Sequence, residues 1–138
     1  MPDKISFSLN RQKSLKSKIL LNDLFTKGQS IIDYPLRLVY LEIDIDSEQS
    51  FLTAFSVPKR KFKKAVDRNR IKRLMRESFR LQQNDLSLPR QTIMMWIYMD
   101  RQTPSFDLIY NKMHEIMLTL NHQLNVDQKL IKPNGTTQ

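Results

Sequence analysis

Residues 59–80, KRKFKKAVDRNRIKRLMRESFR, concentrate the positive charge of this 138-residue chain in one segment. The segment holds 11 Lys or Arg residues against Asp67 and Glu77, so it carries the whole formal net charge of +9. Pro58 ends the preceding apolar run, and no Gly or Pro follows until Pro89. The segment therefore predicts a helix of several turns from Val66 onward, placed between two apolar runs.

On a helix of 3.6 residues per turn, this segment divides into an apolar side and a cationic side. The side predicted to pack on a sheet consists of Ile71, Leu74, Met75 and Ser78. The opposite side holds Arg68, Asn69, Lys72, Arg73, Arg76 and Arg80. An ordinary solvated helix would pair acidic with basic residues, whereas like charges one turn apart repel one another. The pattern predicts a surface for a polyanion, and its arginines favour phosphate, because the guanidinium group matches phosphate geometry.

The residues before the basic segment predict one helix followed by strands. In SKILLNDLFTKG, apolar residues recur at helical spacing, with Ser17 placed to cap the start and Gly28 to end the helix. The stretch GQSII favours a short edge strand. Alternating residues predict two further strands, LRLVYLEI at 36–43 and FLTAFSV at 51–57, which we expect to pair as a hairpin.

The residues after the basic segment predict a strand and a last helix. TIMMWIYMD is a compact apolar run typical of a strand buried on both faces. Thr103 and Pro104 suit the N-cap and the first position of a helix, in which apolar residues recur from Phe106 to Leu124. We expect residues 1–14 to form a mobile basic arm and residues 125–138 a frayed tail. The sequence thus predicts a single α+β domain, a two-layer sandwich with one face of the sheet covered.

Composition restricts the compartment and the class of partner. The chain has no cysteine, which excludes disulfides and thiolate metal sites, and it begins without the apolar core of a secretory signal. Its longest apolar run, IMMWIYM at 93–99, is too short to span a membrane. We therefore expect a cytoplasmic protein with no membrane partner. A pI near 9.9 favours nucleic acid as the polyanion.

The basic segment also resembles a known family. KRKFKKAVDRNRIKRLMRE is similar to the signature of the bacterial ribonuclease P protein subunit, Arg-Asn-Arg followed by x-Lys-Arg within a helix. Arg68, Asn69, Arg70, Lys72 and Arg73 occupy these positions. The resemblance continues more loosely through LFTKG and IMMWIYMD, so it covers roughly residues 14–124.

The resemblance implies a fold and a function. It implies the order αβββαβα, with a four-stranded mixed sheet and a left-handed βαβ crossover through the basic helix. It also implies an RNA-binding subunit of ribonuclease P, the ribonucleoprotein that removes the 5′ leader from precursor tRNA. The implied partners are the catalytic RNA subunit, which holds the Mg²⁺ ions, and precursor tRNA; no protein partner is predicted. The expected RNA-binding residues are Lys59, Arg60, Lys61, Arg68, Asn69, Arg70, Lys72, Arg73 and Arg76.

The resemblance further implies a cleft for the single-stranded leader between the first helix and the sheet. Phe25 matches an aromatic position of the family on the first helix, whereas Leu21 stands where many members have a second Phe. Tyr40 is the strand residue expected to offer a stacking surface, with a half-buried strand tyrosine as the alternative.

No residues of this chain form a recognisable hydrolytic centre. His114 and His122 are eight residues apart without acidic neighbours that would complete a metal site, and the loop with Asp44, Asp46 and Glu48 lacks the Gly and final Glu of a calcium site. We therefore predict no catalytic residue, metal or cofactor on the protein alone. Two alternatives remain open: a ribosomal or ribosome-assembly RNA-binding protein, and a metal-dependent nuclease that uses Asp44 and Asp46.

Overall fold

A computed structural model describes residues 15, 17–44 and 49–131, with side chains through residue 126. The elements are α1 (Lys18–Lys27), β1 (Gln29–Asp33), β2 (Leu36–Glu42), β3 (Phe51–Ser56), α2 (Ala65–Gln82), a 3-10 turn (Gln83–Asp85), β4 (Thr92–Tyr98) and α3 (Phe106–Ile131). Apart from this short turn, the order αβββαβα agrees with the expectation. The predicted α+β class is confirmed.

The four strands form one mixed sheet in the order β1-β2-β4-β3. β1 and β4 are both antiparallel to β2, while β3 and β4 are parallel. The prediction that the second and third strands form a hairpin is wrong, because β4 lies between them. β4 is the strand most deeply buried on both faces, so it occupies a central position. The chain crosses from β3 to β4 through α2, and the left hand of this crossover stays a prediction.

Helices lie on both faces of the sheet. One face packs under α2 and α3, and its core includes Tyr40, Phe79 and Trp96. The other face packs against α1 and Leu15. By strand alternation and register, this second face, here called the α1 face, consists of Ser30, Ile32, Arg37, Val39, Leu41, Leu52, Ala54, Ser56, Ile93, Met95 and Ile97. The expectation that only one face is covered is therefore corrected, since α1 shields part of the second.

The ends of α1 agree with the sequence, although Gly28 acts for a different reason. The Ser17 hydroxyl accepts a hydrogen bond from Leu20 N at 3.3 Å, which is the predicted N-cap. Gly28 is extended, with φ −74°, so no left-handed conformation requires glycine there. A Cβ atom at Gly28 would instead overlap the carbonyl oxygens of Leu24 and Tyr40. Glycine lets the end of α1 approach β2 closely.

Replacing Gly28 with alanine is therefore expected to destabilise the fold. Both overlapping atoms belong to the backbone, so α1 has to shift away from β2, which costs about 1–3 kcal/mol of unfolding free energy. Urea denaturation followed by circular dichroism measures this loss. Lys18→Ala, exposed at the start of α1, provides a control that should stay within about 0.5 kcal/mol of the wild type.

The last helix begins and ends later than the sequence predicts. α3 begins at Phe106, where the Ser105 hydroxyl accepts a hydrogen bond from Leu108 N at 3.1 Å, so Ser105 replaces Thr103 as the capping residue. The helix continues to Ile131, past the predicted start of a frayed tail at Asn125. The predicted arm at 1–14 and the last residues, 132–138, lie outside the described part of the chain.

Candidate nucleic-acid interface

The inward side of α2 is close to the predicted one but rotated toward Phe79. Ile71, Met75 and Ser78 are buried as expected. Leu74 is only half-buried, so its predicted place on the inward side is corrected. Phe79, which the pattern missed, is completely buried, with its ring centroid 5.4 Å from that of Phe51. This ring, also 6.0 Å from that of Trp96, fixes the rotation of the helix on the sheet.

The outward side of α2 presents the predicted cations to solvent. Its exposed residues, together with those at the start of the basic segment, define what we call the α2 surface: Lys59, Arg60, Asn69, Arg70, Arg73 and Arg76. Lys72 is half-buried beside them. Arg76 lies with Cζ 5.6 Å from the centroid of the Phe55 ring, a cation–π distance that holds it near β3. No acidic side chain among the described residues pairs with Arg70 or Arg73.

Arg80 differs from the other cations of α2. Its Nε donates to Glu77 Oε1 at 3.0 Å, and Nη2 donates to Glu77 Oε2. The hydrogen bond from Arg80 lowers the pKa of Glu77, so this carboxylate stays charged and offsets the guanidinium charge. Arg80 therefore belongs to the cationic side of α2, but Glu77 on the same helix compensates its charge.

The loop that precedes α2 is held by contacts that the sequence did not predict. Arg68 Nη1 donates to the carbonyl oxygens of Phe62 at 2.8 Å and Lys63 at 2.9 Å. Lys61 Nζ donates to Met99 O. Phe62 is buried with its ring centroid 6.0 Å from that of Tyr98. Arg68 and Lys61 thus donate hydrogen bonds within the protein, and these bonds position the exposed residues of the loop.

Tyr98 gives this loop a neutral, buried support. Desolvation, followed by the negative charge of Asp100 and the proximity of Tyr34, raises the pKa of Tyr98 to about 12. The phenol remains protonated at neutral pH and donates to Gln102 O. The loop therefore packs on an uncharged ring, and the positive charges stay on its outer side.

Arg68→Lys is expected to loosen this loop even though the charge is kept. A lysine ammonium cannot reproduce the two contacts of the guanidinium group from the same position. We expect amide hydrogen exchange of Lys61 and Phe62 to rise about tenfold, the equivalent of losing about 1.4 kcal/mol of local stability. Arg70→Lys is the matched control, because Arg70 is exposed on the same helix. Equal exchange in both variants would contradict a positioning role for Arg68.

The three predicted cleft residues do not lie on one side of the sheet. Leu21 is half-buried on α1 and packs against the α1 face, and Phe25 is 56% exposed one turn later. Tyr40 points to the opposite face, where its hydroxyl lies 2.6 Å from Gln123 Oε1 and it is only 4% exposed. Its predicted place in the cleft is corrected: strand alternation puts Val39 and Leu41 there instead.

Arg37 is a residue of the α1 face that the sequence analysis missed. It shares the α1 face with Val39 and Leu41, and it is half-buried. Its Nε and Nη2 donate to Ser30 Oγ at 3.2 and 3.0 Å. The sequence did contain this information, because Arg37, Val39 and Leu41 are alternate residues of one strand and so lie on the same face. It was hidden because its charge lies outside the basic segment.

Where the structure describes them, the residues considered for metal binding form no ligand set. His114 and His122 are both exposed on α3, and Asp44 is exposed at the end of the described part of its loop. Asp46 and Glu48 lie outside the described residues. Where side chains are described, no group of three or more His, Cys, Asp or Glu residues could hold a metal ion. In the same part of the chain, no helix is long and apolar enough to cross a membrane.

Comparison with known proteins decides the family. A family model described as Ribonuclease P matches residues 9–121, which includes α1, the whole sheet and α2. This chain belongs to the ribonuclease P protein family. The ribonuclease P protein component of Porphyromonas gingivalis is 31% identical over 127 residues, covering 87% of this chain and 91% of that protein. The one from Chlorobium phaeobacteroides is 29% identical over 125 residues, covering 80% and 86%.

Solved ribonuclease P proteins have the same fold. The Staphylococcus aureus protein superimposes with a TM-score of 0.62 at 22% identity, covering 78% of this chain and 94% of that chain. The Thermotoga maritima protein gives 0.61 at 20% identity, covering 75% and 94%. At these identities the likeness concerns the fold alone.

Proposed function

We propose that this chain is the RNA-binding protein subunit of ribonuclease P and assists a catalytic RNA in removing the 5′ leader from precursor tRNA. The α2 surface binds the RNA subunit, and the cleft between α1 and the sheet holds the single-stranded leader. The observation that carries this proposal is the outward row of Arg70, Arg73 and Arg76 on a helix anchored by Phe79, in a chain of the ribonuclease P protein family.

Electrostatics support a phosphate-binding role for the α2 surface. The exposed arginines lie on one helix, so their backbone positions are fixed relative to one another, and each neutralised phosphate releases counterions. Lys59 and Arg60 extend the surface along the loop that Arg68 holds in place. Asn69 is exposed among these cations and adds a neutral donor and acceptor. This arrangement suits a structured RNA whose phosphates follow a fixed path.

The protein contributes binding and the RNA subunit contributes catalysis in this proposal. We assign the Mg²⁺ ions to the RNA subunit. The protein raises the local affinity for leader-bearing substrate and partly replaces the cations that otherwise screen repulsion between RNA subunit and substrate. Less Mg²⁺ should then be needed when the protein is present.

Reconstitution with the catalytic RNA of the same organism tests the proposed function. We expect no cleavage of precursor tRNA by the protein alone. Added to the RNA subunit, it should shift the Mg²⁺ dependence of cleavage to lower concentration and tighten the binding of leader-bearing precursor. The absence of any gain over RNA alone would overturn the proposal. Purification of the protein from its own cells distinguishes this function from the ribosomal alternative. A ribonuclease P subunit should co-purify with one RNA species, whereas a ribosomal protein should co-purify with ribosomal particles.

A further inference from the structure

The α1 face differs from the opposite face in both charge and aromatic content. All strand aromatics of the described residues lie on the face under α2 and α3: Tyr40, Phe51, Phe55, Trp96 and Tyr98. The α1 face holds aliphatic side chains and a few hydroxyls, and among the described strand residues Arg37 is its one charged side chain. The floor of the cleft therefore offers a cation but no ring for stacking. Phe25, on α1, is an exposed ring on the helix that packs against this face.

The guanidinium group of Arg37 is oriented rather than free to move. Its two hydrogen bonds to Ser30 Oγ, at 3.2 and 3.0 Å, hold it across β1 and β2. The remaining N–H donors are unused within the described residues, and no acidic group there pairs with them. Because Ser30 Oγ accepts both bonds, its own hydrogen points elsewhere and adds a donor beside the guanidinium group. A fixed cation with adjacent hydroxyl is suited to a phosphate oxygen.

We propose that Arg37, oriented by Ser30, binds a backbone phosphate of the single-stranded leader, so that this cleft holds the leader by its phosphates more than by base stacking. This inference rests on the proposed function. Arg37 then contributes to the affinity for the leader, and this contribution does not depend on base identity. The inference also bears on Leu21, which stands where many family members have a second Phe. An aliphatic side chain at this position cannot stack on a base as a ring does.

The sheet connects this site to the α2 surface. Arg37 pairs with Ile97 on β4, and Ile97 pairs with Ser56 on β3. With strands about 4.8 Å apart, Ser56 lies roughly 10 Å from Arg37 across the cleft floor. The chain then leads from Ser56 within a few residues to Lys59 and Arg60. Two neighbouring strands therefore link the proposed leader site at Arg37 to the start of the basic segment.

The first test uses the reconstituted holoenzyme with variant proteins. Binding is measured for a precursor with its full leader and for one with the leader trimmed to about one nucleotide. We expect Arg37→Gln to weaken binding of the full-leader substrate about tenfold and to leave the trimmed substrate unchanged. Ser30→Ala should lose less, about threefold, because it removes only the orientation. Arg90→Gln is the charge-matched control, an exposed arginine preceding the opposite end of β4, and should change neither substrate.

The second test alters the leader and is measured first with the wild-type protein, then with Arg37→Gln. Methylphosphonate linkages, which lack the phosphate charge, are introduced one at a time into the leader. We expect one linkage to lose about tenfold in affinity, and Arg37→Gln to add no further loss with that leader. Abasic nucleotides at the same step should leave the Arg37 contribution in place. Where Arg37→Gln folds poorly, the same comparison is made with Ser30→Ala, which should show a smaller further loss with the neutral linkage than with the unmodified leader.

The outcomes separate this inference from the proposed function. If wild-type protein gives no preference for leader-bearing substrate, the leader-binding role fails and the role of Arg37 fails with it. If the wild type shows the preference while no single neutral linkage reduces it, only the inference about Arg37 is overturned. An equal loss from Arg90→Gln, or an equal loss with the trimmed substrate, likewise overturns it, because net charge would then explain the effect.

Discussion

Phe79→Ala is expected to lower the free energy of unfolding by about 3–5 kcal/mol, the largest loss of stability among the changes considered. The Phe79 ring is completely buried and lies between α2 and the sheet, with ring centroids 5.4 Å from Phe51, 5.9 Å from Phe55 and 6.0 Å from Trp96. Its removal leaves a cavity that these rings cannot refill without moving α2. Urea or guanidinium denaturation measures the loss directly.

Leu81→Ala is the matched control for Phe79. Leu81 is an apolar residue of the same helix but is 38% exposed, so its truncation should cost about 1 kcal/mol or less. The Phe79 variant, studied at a temperature where it remains folded, should keep most of its RNA affinity, because no cation is removed. A loss of stability as small as that of Leu81→Ala would show that α2 is not anchored through Phe79.

The double change Arg70→Ala and Arg73→Ala is expected to produce the largest loss of RNA affinity, on the order of tenfold to a hundredfold at physiological salt. Both side chains are exposed on α2 and have no acidic partner among the described residues. Each should reduce the slope of log affinity against log salt by about one unit or less. Binding to the RNA subunit across a salt series measures both quantities.

Stability should hardly change in this double variant, since like charges are removed from one helix face. Arg90→Ala with Arg101→Ala removes the same charge from exposed positions outside α2 and should leave affinity nearly unchanged. An equal loss from the two double variants would show that net charge, rather than the α2 surface, determines binding. Together with Phe79→Ala, these changes separate the side of α2 that folds from the side that binds.

Helical spacing predicts the exposure of some arginines of the basic segment but not the role of Arg68. Arg73 and Arg76 are exposed as periodicity predicts, because a helix face is defined by spacing alone. Arg68 belongs to the same motif and is half-buried, with its guanidinium group on two carbonyl oxygens of the preceding loop. Spacing places Arg68 near the outward side but says nothing of the loop that folds back beside it. A motif match therefore does not by itself distinguish a binding residue from a positioning one.

Tyr40 and Arg37 show the same limit in the cleft. Alternation had already grouped Val39 and Leu41 apart from Tyr40, yet which group faces α1 depends on where α1 packs. α1 reaches β2 at Gly28, where a Cβ would meet Tyr40 O at 2.9 Å, and its apolar side covers Val39 rather than Tyr40. The tyrosine thus lies in the core under α3, and the arginine lies on the α1 face.

By itself the sequence determined the elements, the α+β class and the concentration of cations on one helix, because periodicity and breaker residues act over a few neighbouring positions. Only the tertiary structure decided that β4 lies between β2 and β3, that Phe79 anchors α2, and that the α1 face holds Arg37 rather than Tyr40. The physical reason is that strand order and face selection minimise exposed apolar area over the whole chain. Residues far apart in sequence contribute to that area together, so no local pattern contains the answer.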